Sequence, residues 1–112
     1  MPEIAKSVVV FRPTQLFLDW LNGFSEGREL LELAMVREDS SGYLIPECDD
    51  RDEALEFIRP HATRFFQHLL YGWCTNEELW PAEMEFETLC EWFDIELVST
   101  LFEISDWIPA SR

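Results

Sequence analysis

Three patterns in the sequence predict an α+β fold. Ser7 to Phe11 is a short β-branched, apolar run of strand length. Ala54, Leu55, Ile58, Ala62, Phe65, Phe66 and Leu69 recur at helical spacing, so one face of that stretch is buried. From Ile95 to Ile104 the apolar residues lose the helical phase and alternate.

The elements follow in order. Ser7–Phe11 is apolar on both faces, which predicts a central strand ending at Arg12-Pro13. Pro13 suits the first turn of a helix that runs through Leu16, Phe17, Leu18, Trp20 and Leu21 and closes at Asn22-Gly23. Phe17 with Leu21, and Leu16 with Trp20, are four apart and lie toward one side, with Asp19 and Asn22 facing the other. Residues 24–28 read as a loop. Leu30 to Arg37 reads as a second strand, with Leu31, Leu33 and Met35 alternating against Glu32 and Ala34. Turn chemistry at residues 38–42 links it to Tyr43–Ile45, giving a hairpin.

Asp49-Asp50 opens the longest helix, where Asp50 and Glu53 have capping-box spacing and acidic residues suit the positive end of the helix dipole. Pro60 falls inside it without a slip of the apolar phase, which predicts a kink or two collinear helices. Gly72 to Asn76 breaks it, and Thr75 or Asn76 is placed to cap a short turn over residues 77–79. Trp80-Pro81 begins the next helix, with Phe86, Leu89, Cys90 and Phe93 as its buried stripe. A long final strand follows. The order β-α-β-β-α-α-β matches a ferredoxin-like βαββαβ sandwich with one extra helix before the last strand. At 112 residues, one α+β domain over residues 1–112 is expected.

Charge is the strongest functional signal. The formal net charge is −15, from 23 acidic and 8 basic residues. Residues 57–76 hold no Asp or Glu, yet carry Arg59, Arg64, His61 and His68, while residues 77–106 hold ten carboxylates and no Lys or Arg. A 47% hydrophobic content argues against disorder despite the charge. The acidic balance argues against direct nucleic-acid binding, which gains from phosphate neutralisation, and against anionic membranes. The N-terminal apolar run is too short for a signal peptide, and no window is long enough for a membrane span. Cys48, Cys74 and Cys90 are odd in number and lack CxxC spacing, which reads as reduced thiols in the cytoplasm.

Candidate binding residues come from three features. Phe57, His61, Arg64 and His68 fall on one helix flank beside the buried stripe. The two histidines are two helical turns apart, about 10 Å along the axis, too far for one metal ion bonded at about 2.0–2.1 Å. No metal and no cofactor is expected. Asp49, Asp50, Glu77 and Glu78 belong to the acidic band; the missing central glycine argues against a calcium loop there. Solvated helix faces account for such a band, and so does a carboxylate surface built for a basic partner, mimicry of nucleic-acid phosphate being one form of it. Trp73 and Trp80 bracket a predicted loop, where an aromatic beside a carboxylate rim would form a binding hot spot. No catalytic residue is assigned: GxSxG and a glycine-rich phosphate loop are both missing, and Cys74 alone lies near the basic strip.

Three stretches also carry a resemblance: residues 12–22 (RPTQLFLDWLN), residues 43–47 (YLIPE), and residues 79–81 (LWP) with 91–96 (EWFDIE). Together the chain resembles, over nearly its full length, a family of small acidic bacterial proteins of unknown function. The resemblance implies a bacterial, intracellular origin and carries no site residue. The leading expectation is a non-enzymatic interaction module that binds a basic protein, with self-association into a homodimer through the basic flank as the alternative partner mode. The rival expectation is a small hydrolase or metal-dependent enzyme using His61 or His68 with Glu47 or Asp19.

Overall fold

The computed structural model describes residues 2–24 and 30–107. Residues 25–28 of the expected loop lie outside them. Helices and two antiparallel sheets form a mixed α+β architecture. The elements are β1 (Glu3–Ile4), β2 (Lys6–Pro13), α1 (Gln15–Asn22), α2 (Leu33–Arg37), β3 (Ser41–Pro46), α3 (Arg51–Ile58), α4 (Ala62–Tyr71), α5 (Phe86–Trp92), β4 (Phe93–Val98) and β5 (Leu101–Phe102).

The main sheet has the order β3-β2-β4, with β2 central as its two apolar faces require. Val9 pairs with Tyr43 on one side and Leu97 on the other. Ser7, Val9, Phe11 and Pro13 of β2 are buried, while Val8, Val10 and Arg12 on the other face are partly exposed. The buried row meets Ile45, Phe93 and Ile95 and packs against Phe17, Ala54, Ile58, Phe66, Leu69 and Leu89 from the helices. Aromatic edges organise this core: Phe17 lies 5.1 Å from Phe93 and 5.7 Å from Trp73, and Phe66 lies 5.5 Å from Trp92, centroid to centroid.

Several expectations are corrected. Leu30–Arg37 is not a strand: Leu33–Arg37 forms α2, with Val36 buried and Met35 exposed. Leu, Ala, Met and Arg are good helix formers, and the burial follows a spacing of three, not two. The hairpin is therefore absent, and β3 pairs with β2. This leaves three strands in the main sheet, so the described residues do not form the four-stranded ferredoxin-like sheet. Pro13 ends β2 and does not open α1; Thr14 sits at the junction, its N–H bonded to the Trp92 carbonyl (2.9 Å) and its Oγ1 donating to that of Glu91 (2.8 Å). Leu16, expected on the same side as Phe17, is exposed, while α1 buries Phe17 and Leu18.

The Asp50 carboxylate accepts the Glu53 N–H at 2.9 Å, and the Glu53 side chain returns to the Asp49 N–H at 3.1 Å. Pro60 sits in a 3-10 turn, Arg59–His61, that separates α3 from α4. Asn76 caps the short turn over Glu77–Leu79. Helix α5 starts at Phe86, later than Trp80-Pro81 suggests. Residues 80–85 form an irregular, bent segment tied down by two bonds: the Trp80 indole donates to the Cys74 carbonyl (2.9 Å), and Thr63 Oγ1 donates to that of Met84 (3.0 Å). Cys90 is exposed and Trp92 takes its buried place.

The final strand breaks at Ser99-Thr100, and β5 pairs with β1. Between Ile4↔Leu101 and Val8↔Val98 three residues face two, so the ladder carries an extra residue there, as at a β-bulge. Buried Ser7 closes this corner, accepting the Cys48 N–H (2.9 Å) and donating to the Ser99 carbonyl (3.0 Å).

Candidate functional site

The carboxylate-free stretch becomes the exposed flank of the α3–α4 arm. Helix α4 buries Ala62, Phe66, Leu69 and Leu70, which turns Arg64 and His68 outward and leaves Phe65 at the margin. His61 precedes it in the 3-10 turn, and Phe57 comes from the last turn of α3, with ring centroids 5.3 Å apart. The sheet completes the site. Tyr43 of β3 faces the helices, its ring edge-on to Phe65 (5.1 Å) and Phe11 (5.5 Å).

Phe57, His61, Arg64 and His68 thus line one open depression of about 410 Å³ together with Tyr43 and Phe65. The Tyr43 hydroxyl lies 2.7 Å from His68 Nδ1. Burial pushes the Tyr43 phenol up to about 12, so it keeps its proton at neutral pH. That O–H can donate to Nδ1, which places the proton of a neutral imidazole on Nε2. A charged imidazole would instead donate from Nδ1 to the phenol oxygen.

Two smaller depressions adjoin the first. Arg64, His68, Tyr71, Glu77 and Trp80 border one of about 340 Å³, while His68, Asp39 and Trp73 border another of about 240 Å³. His68 is therefore the hinge point of all three. Trp73 and Trp80 are half-buried against the core, not fully presented to solvent. Glu78 is exposed and donates its backbone N–H to the Asn76 cap. Asp49 and Asp50 stand at the other end of α3 as helix-start residues and line none of these depressions.

Sequence reasoning missed Tyr43 and Phe65 as site residues. The available signal was the alternation Tyr43–Ile45, which sends both side chains of β3 to the inner face, where a polar tip at the sheet edge must find a partner.

The acidic groups are arranged differently. Every described Asp and Glu is solvent-exposed. Among the described residues three ion pairs occur, Arg12–Glu96 (3.1 Å), Arg37–Asp94 (3.1 Å) and Arg59–Glu87 (3.2 Å), and none joins a histidine to a carboxylate. No group of three or more His, Cys, Asp or Glu there could hold a metal ion. Burial pushes the Cys48 thiol up, with Glu53, Asp49 and Asp50 adding to the effect. Burial likewise raises Cys90, against a smaller opposing pull from Arg51 and Arg59. Both are thiols, not thiolates, at neutral pH. No described helix is long and apolar enough to cross a membrane. In comparisons with family models, curated proteins and solved structures, nothing matches this chain.

Proposed function

We propose that the protein is a non-enzymatic acidic interaction module that presents carboxylates of the 49–56 and 77–96 regions to a basic partner protein. The observation that carries this reading is the exposure of every described carboxylate, with so few of them neutralised by ion pairs. Unpaired surface carboxylates retain their field, which steers a basic surface and speeds its encounter. The site's groups favour binding over covalent chemistry, because the histidine with a defined partner meets a protonated phenol and the raised thiols are poor nucleophiles. A cytoplasmic setting fits the three free cysteines, which would pair or oxidise in an oxidising compartment.

The test is affinity capture from host cells on the immobilised protein, at low and then high ionic strength. Basic proteins should be retained at low salt and released as salt rises. Retention that ignores salt, or partners without basic surface, would refute the proposal.

A further inference from the structure

We propose that the depression between α3, α4 and β3 binds a small aromatic monocarboxylate, with its carboxylate on Arg64 and its ring against Phe57 and Phe65. This site is opposite in sign to the acidic surface and does not depend on that reading.

The argument starts with Arg64. Among the described residues the guanidiniums of Arg12, Arg37 and Arg59 are ion-paired, and that of Arg51 donates to the Ile95 carbonyl at 3.0 Å. Arg59 also stacks over Phe86, 4.2 Å from its centroid, which holds it to the α5 side. Among the described residues Arg64 has no ion pair, although the protein carries a net charge of −15. Glu77 borders the adjoining depression without pairing to it. A guanidinium left open is a planar, two-pronged donor matched to a carboxylate.

The walls specify the rest of the ligand. Phe57, Phe65 and Tyr43 offer ring surface, while His61, His68 and the Tyr43 hydroxyl place polar groups at its edge. An apolar lining with a few convergent polar groups is the usual make-up of a small-molecule cleft, and about 410 Å³ sits at the small end of that range. The wider field limits the charge. Each added negative charge on the ligand meets the repulsion of the whole acidic molecule, whereas one open guanidinium is available to offset it. A single carboxylate on one or two fused rings meets both conditions.

The experiment titrates isotope-labelled protein with naphthoate and, separately, with neutral naphthylmethanol, following amide and imidazole signals by NMR. Naphthoate should saturate with a dissociation constant on the order of 1 mM or tighter, shifting signals of His61, Arg64, His68 and Tyr43. The alcohol should bind about tenfold more weakly, and Arg64→Gln should cost naphthoate about tenfold or more, since a hydrogen bond to a charged group is lost. Arg59→Gln, whose guanidinium is engaged elsewhere, should leave binding unchanged. Arg64 is exposed and, among the described residues, unpaired, so its variant should keep the fold, which the same spectra verify. Absence of saturation, equal affinity for acid and alcohol, or indifference to Arg64→Gln would each overturn the proposal. So would signals at this site that shift on dilution of the protein alone, because a second copy would then be the occupant.

Discussion

Ser7 shows how much one hydroxyl can hold. It is fully buried, and its hydroxyl ties β2 to the turn after β3 through Cys48 and to the break after β4 through the Ser99 carbonyl. Ser7→Ala removes the acceptor for the Cys48 N–H and the donor for the Ser99 carbonyl, and should cost about 1–3 kcal/mol in urea unfolding. An unchanged midpoint would show that those groups find other partners. Tyr43 makes a second prediction at this scale. Its phenol ionises near 10.0 in an unfolded chain and about 12 in the fold, because burial disfavours the phenolate. The neutral form is thus favoured by folding. The Tyr43 contribution to stability is intact below about pH 10 and is lost as pH rises through about 12. Phenolate absorbance of the folded protein, which has 2 tyrosines, should show one late step that Tyr43→Phe removes. The Tyr43–His68 contact was hidden from the sequence, because no local pattern relates residues 25 positions apart.

At the level of elements, sequence legibility depended on whether local pattern and tertiary contacts agreed. They agree at β2, whose two apolar faces predict its central place, and at Asp50–Glu53, whose cap forms as spaced. They agree again on α3–α4, where the pattern brings Phe57, His61, Arg64 and His68 to one depression. They disagree at α2, where a short run satisfies both periods and helix propensity decides. They disagree at residues 80–85, where the bonds Trp80–Cys74 and Thr63–Met84 hold an irregular segment in place of a helix start, and at Ser99-Thr100, where the ladder shifts register. Ala34 discriminates the two readings of its segment. It is exposed on α2, so Ala34→Val should lower stability by about 0.5 kcal/mol, as a β-branched residue does in a helix. In a strand the same change would raise it.

Across the whole molecule, the excess of acid over base sets the behaviour. Carboxylates that are exposed and mostly unpaired repel one another in the compact state more than in the unfolded chain. Added salt screens that repulsion, so the denaturation midpoint should rise between about 10 mM and about 150 mM NaCl, as the screening length falls from about 30 Å to about 8 Å. A fall with salt would mean that attractive pairs outweigh the repulsion. Composition alone made the sign of this field legible. Its relation to the open Arg64 cleft was not, since that needed the folded positions of the other arginines.

The proposed function rests on exposed carboxylates as the groups that meet a partner. The most direct measurement is the salt dependence of affinity for a captured partner. It should compare the native protein with a variant in which Glu77, Glu78, Glu83 and Glu85 are replaced by Gln. The native affinity should fall steeply as salt rises, and the variant should bind more weakly at low salt with a shallower slope. Identical slopes and affinities for the two proteins would contradict the account.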